Sequence, residues 1–311
     1  MEKATEFIAT VDEAYGERGR EAVPAAARSL TRSLEWMWSV IAGPVLDRLG
    51  LRFTPDEDAP WPRLFWCPTG WASFLPLHAA GNHEDGRRAT VLDRAVSSYT
   101  PTLRALLRAR AELAGRATAE PAPLVISLPE TPGGGGLPGA AAEADLIKGL
   151  FPDAAELTGP EATVDAVLRE LPGHAWVHFG CHGVSDLNRP SEAGLQLHDG
   201  RFRAYDAAGL RMERPVLAVL AACSTSRGGF FVPDEVIHVA SSFQLAGYPH
   251  VIGTFWPVSD RLSRKVTEEF YLALARGAFA PATALHGPIR RLRDRFPAAP
   301  HLWAAHAHTG P

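Results

Sequence analysis

Four short apolar runs, at 124–128, 175–180, 216–222 and 250–255, alternate with stretches of helical periodicity at 140–150, 161–171, 234–246, 261–275 and 281–295. Strands that are apolar throughout must be covered on both faces, and helices with one apolar stripe supply that cover. The pattern predicts an α/β fold in which a mostly parallel central sheet lies between two helical layers. In such a sheet, reactive side chains collect beyond the carboxyl ends of the strands. Two of the four runs end in residues that can do chemistry. His178-Phe179-Gly180-Cys181-His182-Gly183 closes the second, and Ala221-Ala222-Cys223-Ser224-Thr225 closes the third.

The first 120 residues are organised differently. Residues 4–50 read as helical, with Leu34, Met37, Trp38, Ile41 and Val45 at the spacing of one buried face. The stretch 53–62 is acidic and contains proline, as a linker does. Leu64-Phe65-Trp66-Cys67, the turn Pro68-Thr69-Gly70, and Trp71-Ala72-Ser73-Phe74-Leu75 predict a hairpin. A helix is expected over 103–113, where arginines separate apolar residues. The divisions that follow are 1–58, 59–120 and 121–311.

Composition removes several classes of function. With 21% charged residues and a formal net charge of −4 there is no electrostatic basis for a nucleic acid or a membrane surface as partner. The longest apolar candidate, 34–49, is interrupted by Glu35, Pro44, Asp47 and Arg48, so no membrane-spanning helix is expected. The start, Met1-Glu2-Lys3-Ala4-Thr5-Glu6, does not have the form of a signal peptide. Cys67, Cys181 and Cys223 are too few for a disulfide framework and fit a reducing cytoplasm.

The thiol and the imidazole are the leading candidates for chemistry. A cysteine after an aliphatic run is usually a small buried hydrophobe. Cys223, however, is followed by the polar, glycine-rich Ser224-Thr225-Ser226-Arg227-Gly228-Gly229, which places it at a rim. A neighbouring imidazolium there would favour the thiolate, the form that attacks carbonyl carbon. His182 is followed by Gly183, where the backbone turns and a carbonyl oxygen can approach. The N–H groups of Gly183 and Cys223 are candidate donors to an oxyanion. His178 and His182 on one strand would be about 13 Å apart, too far to share a metal ion. No metal and no cofactor are expected.

Two other patterns need an assignment. The glycine run Gly134-Gly135-Gly136-Leu137-Pro138-Gly139 matches a dinucleotide fingerprint in form. It lies away from the strand end near Leu128 and is broken by prolines, so the match counts as chance. Asp260, after Thr254-Phe255-Trp256-Pro257-Val258-Ser259, either starts the helix that follows or offers a carboxylate to a basic side chain in the crevice. Asp186, four residues past His182, is a second carboxylate of that kind. Asp234-Glu235 suits a helix N-terminus.

Together these segments resemble the CHAT family, a branch of the caspase-like cysteine peptidases related to separase and often found beside tetratricopeptide repeats. The likeness is carried by the histidine segment at 178–183, the cysteine segment at 220–225, and 234–238 through 246–247 with 251–260. It extends to Leu137-Pro138-Gly139-Ala140 with Glu143 and to the closing Leu302-Trp303-Ala304-Ala305-His306. The resemblance implies a caspase-like three-layer sandwich with a helical N-terminal segment and a smaller inactive half before residue 121. It implies His182 as general base, Cys223 as nucleophile, and Gly183 with Cys223 as oxyanion donors. The expected function is an intracellular cysteine endopeptidase cutting a specific protein substrate after a basic residue. By that likeness Asp260 lines the pocket for the basic side chain.

A regulatory or tetratricopeptide-repeat partner is implied as well, although nothing in this chain recurs at the roughly 34 residues of that repeat. The cysteine segment departs from the Gln-Ala-Cys-x-Gly of caspases, so their aspartate preference does not transfer. The alternative function is a catalytically silent caspase-like module used for interaction or scaffolding.

Overall fold

The computed structural model describes residues 2–15, 23–56, 58–84, 86, 89–114, 121–132, 135–184, 193–221, 239–277 and 279–311. The chain opens with α1 (Glu2–Tyr15), α2 (Val23–Met37) and α3 (Gly43–Arg48), the last two joined by a π-helical turn at Trp38–Ala42. Phe7, Ile8 and Val11 on α1 and Leu30, Leu34 and Met37 on α2 are buried, each set on one helical face. Strand β1 (Arg63–Trp66) comes next. It is followed by a short antiparallel pair, β2 (Gly81–Asn82) and β3 (Ala89–Thr90), then β4 (Val96–Tyr99) and α4 (Leu103–Ala114).

The hairpin expected over 64–75 does not form. β1 pairs in parallel with β4, and Gly70–Phe74 is a 3-10 turn. Pro68 has no N–H to give to a ladder. Trp71 and Phe74 meet ring to ring at 5.9 Å, a three-residue spacing that suits a 3-10 turn and not a strand.

The remainder follows the strand–helix alternation. It comprises β5 (Leu124–Ser127), α5 (Pro138–Leu150), β6 (Ala155–Thr158), α6 (Val164–Glu170) and β7 (Trp176–Gly180). Then come β8 (His182–Val184), β9 (Gly194–Gln196), β10 (Arg201–Arg203), α7 (Ala204–Ala208), β11 (Leu217–Leu220) and α8 (Val239–Leu245). The chain ends with β12 (His250–Thr254), α9 (Asp260–Arg276), α10 (Pro281–Arg295) and β13 (His306–Thr309). All four expected strands are present, as β5, β7, β11 and β12. β6 and β13 add to them: β6 is a half-exposed edge, and the His-Ala-His-Thr of β13 has no aliphatic run to announce a strand.

The described strands form an eight-stranded sheet in the order β1-β4-β13-β12-β11-β7-β5-β6. Neighbours are parallel except β12 and β13, so β1, β4 and β13 run against the other five. Successive residues point to opposite faces of the sheet. Leu124, Ile126, Val177, Phe179, Ala218, Leu220 and Val251 enter one core, with Val167 of α6 and Phe243 of α8. Val125, Trp176, Leu217, Val219 and Ile252 enter the other, with α5, α9, α10 and the N-terminal helices. Every described residue of β5, β7, β11 and β12 is buried, as a sheet covered on both faces requires. A second, three-stranded antiparallel sheet, β10-β9-β8, continues from the end of β7. Among the described residues no helix is long and apolar enough to cross a membrane.

Candidate active site

β7 and β11 are neighbours in register, with Phe179 opposite Leu220. His182 and Cys223 each lie three residues beyond that pair along the chain. Cys223 and Asp186 fall outside the described residues. His182, Gly183 and Asp260 are described, and His182 and Asp260 line one cleft at the carboxyl ends of β7, β11 and β12, together with Ala221, Thr254 and Glu143. The described lining carries two carboxylates, Glu143 and Asp260, and neither lysine nor arginine.

Cys181 ends the run of β7, and His182 begins β8, whose partner is β9. The imidazole is half-buried, and its Nε2–H donates to the Gly135 carbonyl oxygen at 2.8 Å. A carbonyl only accepts, so Nε2 carries the proton in this bond. Gly183 sits opposite Leu195 in the β8–β9 pair. The glycine loop that matches a nucleotide fingerprint thus places a backbone acceptor on the histidine. Sequence reasoning missed this, because a carbonyl acceptor has no residue signature.

Asp260 does what a helix-start residue does, and more. It is the first residue of α9, and its Oδ2 accepts from the Gly139 N–H of α5 at 2.9 Å. One carboxylate therefore faces the positive ends of two helices. A Cβ at position 139 would come within 2.4 Å of Asp260 Oδ1, so only glycine permits this approach. Pro138 begins α5 just before it, where a missing N–H costs nothing.

Below the cleft lies a buried polar chain. His178 Nε2–H donates to Glu143 Oε2 at 3.1 Å, and Tyr271 O–H faces Nδ1 at 3.4 Å. His178 and Glu143 have side-chain exposures of 0% and 5%. Burial, then the nearby Glu143 charge, pushes the Tyr271 hydroxyl well above the usual tyrosine range. The chain ties β7 to α5 and α9, the two helices that Asp260 joins at their N-termini. The clue in the sequence is Glu143 within the buried stripe Gly139, Ala140, Ala144, Ile147 of α5. A carboxylate at a core position needs a partner. His178 and Cys181 are both buried.

Comparison with known proteins follows from this geometry. The CHAT domain model matches residues 31–311. A chain of the Saccharomyces cerevisiae separase–securin complex aligns over 79% of this chain with a TM-score of 0.57 and 13% identity. The present chain spans only 15% of that relative's length. The Arg-specific cysteine proteinase gingipain R aligns over 94% of this chain and 69% of its own, with a TM-score of 0.57 and 10% identity. A complex of the Porphyromonas gingivalis RgpB pro- and mature domains aligns over 99% of this chain and 76% of its own, at a TM-score of 0.57 and 11% identity. A search of curated proteins returns no significant match. At these identities the solved structures establish the caspase-like fold and nothing finer.

Proposed function

The chain belongs to the CHAT domain family, and from that premise we propose that it is a cysteine endopeptidase with His182 as base and Cys223 as nucleophile. The observation that carries this reading is the orientation of His182. Its Nε2–H is held by the Gly135 carbonyl, so Nδ1 is the ring nitrogen left to act as base at the strand edge that β7 and β11 share. Cys223 lies as many residues past the Phe179–Leu220 pair as His182 does, which supports their meeting there.

The reaction runs in two halves. Nδ1 takes the thiol proton as Sγ attacks the scissile carbonyl carbon, and the N–H groups of Gly183 and Cys223 receive the developing oxyanion. The imidazolium then returns its proton to the leaving amine as the C–N bond breaks, leaving a thioester. Water, deprotonated by His182, cleaves the thioester and restores the thiol. The reaction uses no cofactor.

Specificity for a basic residue before the cut is supported by the Asp260 carboxylate of the described cleft and by the arginine specificity named for gingipain R. Asp260 is the principal candidate, with Asp186 beside it. The separase–securin pairing supports control by a separate regulatory or tetratricopeptide-repeat partner. On this reading 1–58 is a helical N-terminal segment, 59–120 belongs to the inactive half, and 121–311 is the catalytic half. The setting is a reducing cytoplasm.

The test is cleavage of arginyl and lysyl peptides by purified protein, with and without its regulator. Cys223→Ala and His182→Ala should each lower kcat by about three powers of ten or more without changing Tm. An electrophilic probe bearing arginine should label Cys223 and spare Cys67 and Cys181. Cleavage that survives both substitutions sinks the dyad, and a wild type that neither cleaves nor labels is a scaffold.

A further inference from the structure

Helix α4 carries apolar residues on two opposite sides, and the fold covers one of them. Of its 12 residues only Leu106 is fully buried. The half-buried Ala105, Ala109 and Leu113 share that inner side. On the other side Leu103 and Leu107 are 64% and 55% exposed, and Ala111 and Ala114 are exposed with them. At 3.6 residues per turn these four fall within an arc of about 80°, a stripe that runs the length of the helix. A lone exposed leucine is ordinary on a protein surface. A helix with apolar stripes on both sides is one that a second body covers.

Charge narrows the choice of that body. By the same period Arg110 borders the stripe on one side, and Arg104 and Arg108 border it on the other. The helix rests beside β1, where Arg110 lies over the Phe65 ring at 4.7 Å and Arg63 over the same ring at 5.2 Å. The two elements therefore hold four arginines against one carboxylate, Glu112, in a chain whose formal net charge is −4. Glu112 is paired with Arg108 at 2.8 Å. Burial, then the neighbouring Arg110 charge, pushes the Arg63 guanidinium below the usual arginine range. An anion arriving beside two such like charges lowers their repulsion. A second copy of the chain would instead set arginine against arginine across a twofold contact. A lipid surface fits less well, because only two side chains of the stripe are larger than alanine.

We propose that the outer face of α4 docks an acidic amphipathic helix of a partner protein, its apolar side on Leu103 and Leu107 and its carboxylates toward Arg104, Arg108 and Arg110. The stripe from Leu103 to Ala114 is about 17 Å long, so the contact is small and reversible. β1 is the edge strand, four places from β11 in the sheet, or about 19 Å at the usual strand spacing. The assignment does not depend on the peptidase reading, since the face lies apart from His182 and binding is measured without turnover.

The probe is a fluorescent peptide of about 16 residues, with leucines at i, i+3, i+4 and i+7 and alanine and glutamate elsewhere. It is titrated with the full chain and followed by anisotropy. The acidic peptide should bind with a Kd on the order of 10–100 μM, and its lysine-for-glutamate counterpart about tenfold more weakly or worse. Leu103→Ser with Leu107→Ser should weaken the acidic peptide at least about tenfold. Arg104→Glu with Arg108→Glu should do the same, and Arg104→Glu alone serves if that pair does not fold. All these positions are exposed, so Tm should stay within a few degrees of the wild type. The proposal is overturned if the acidic peptide does not bind, if the lysine peptide binds as well, or if either folded variant keeps the wild-type affinity. It is equally overturned if the chain is a dimer that Leu107→Ser dissociates, or if phosphatidylserine vesicles bind it through Leu107.

Discussion

A histidine just beyond the large sheet and the histidines inside it are held in opposite ways. Past the end of β7, where β8 begins, His182 stands half-exposed in a cleft with Nε2 bonded to the Gly135 carbonyl, whereas His178 and His250, within the five-stranded set, are buried. In the three-stranded set, His306 and His308 sit in the middle of β13, and His78 and His286 close over the same cavity. These four are buried. Burial pushes His78 and His286 down to about 3 and His306 to about 4, and drives His308 well below the ordinary range. Arg63 donates to Ser98 Oγ at 2.6 Å, Ser98 Oγ meets His308 Nδ1 at 2.8 Å, and His308 Nε2 meets His250 Nδ1 at 2.9 Å. The difference is one of solvent access. A ring at a strand end can exchange protons with water, and a ring in a covered strand cannot do so without breaking the core.

Acid should break this contrast with the largest effect. The buried histidines have folded pKa values below the unfolded value near 6.5, so the unfolded chain binds more protons as pH falls. Their contribution is complete above pH 6.5 and is lost progressively down to the folded values of about 3 to 4. His306 alone accounts for on the order of 3 kcal/mol across that window. Denaturant midpoints measured from pH 7 to 4 should fall steeply, and His306→Leu should flatten the slope by about one proton's worth. A flat profile in the wild type would contradict the burial of this cluster.

Next in size is the buried ion pair of the same half. Arg293 grips Asp93 through two bonds, at 2.7 and 2.9 Å, with side-chain exposures of 6% and 1%. Burial opposes the charge on Asp93, but the Arg293 guanidinium, with the Thr90 hydroxyl and Arg290, holds its carboxyl below the usual range. Arg293→Ala strands that carboxylate and should cost about 3–5 kcal/mol by urea unfolding. Cleft residues should be less demanding. Glu143→Leu leaves the His178 Nε2–H unpaired, for a loss of about 1–3 kcal/mol, and Glu143→Gln, which keeps an acceptor, should lose less. Gly139→Ala should change stability least, within about 1 kcal/mol. It displaces Asp260, so on the proposed peptidase reading its effect falls on the arginine-to-lysine preference and not on the unfolding midpoint.

Much of the five-stranded set was legible in the sequence, and little of the three-stranded set. β5, β7, β11 and β12 are aliphatic runs of strand length, and periodicity recovers them directly. β1 was legible as a strand at 64–67, but its partner β4 lies 33 residues on, from Arg63 to Val96, which no local window can register. β13 reads as polar, because its histidines are buried by helices and strands remote in the chain. The candidate site divides in the same way. His182 and Asp260 were visible as residue types at strand ends, whereas the Gly135 carbonyl, the Gly139 approach to Asp260 and the Glu143–His178 bond are pairings between distant segments.

By itself, the sequence determined that the chain alternates strand and helix, that the sheet is covered on both faces, and that a histidine and a cysteine each follow an apolar strand run. These are consequences of side-chain period and backbone preference, which act over a few residues. Tertiary structure alone decided which histidines are buried and which one bonds to the Gly135 carbonyl at the rim of a cleft. It also decided that Asp260 accepts from the start of a second helix. Desolvation and hydrogen-bond pairing depend on whichever groups the fold brings alongside, and those groups lie tens to hundreds of residues away.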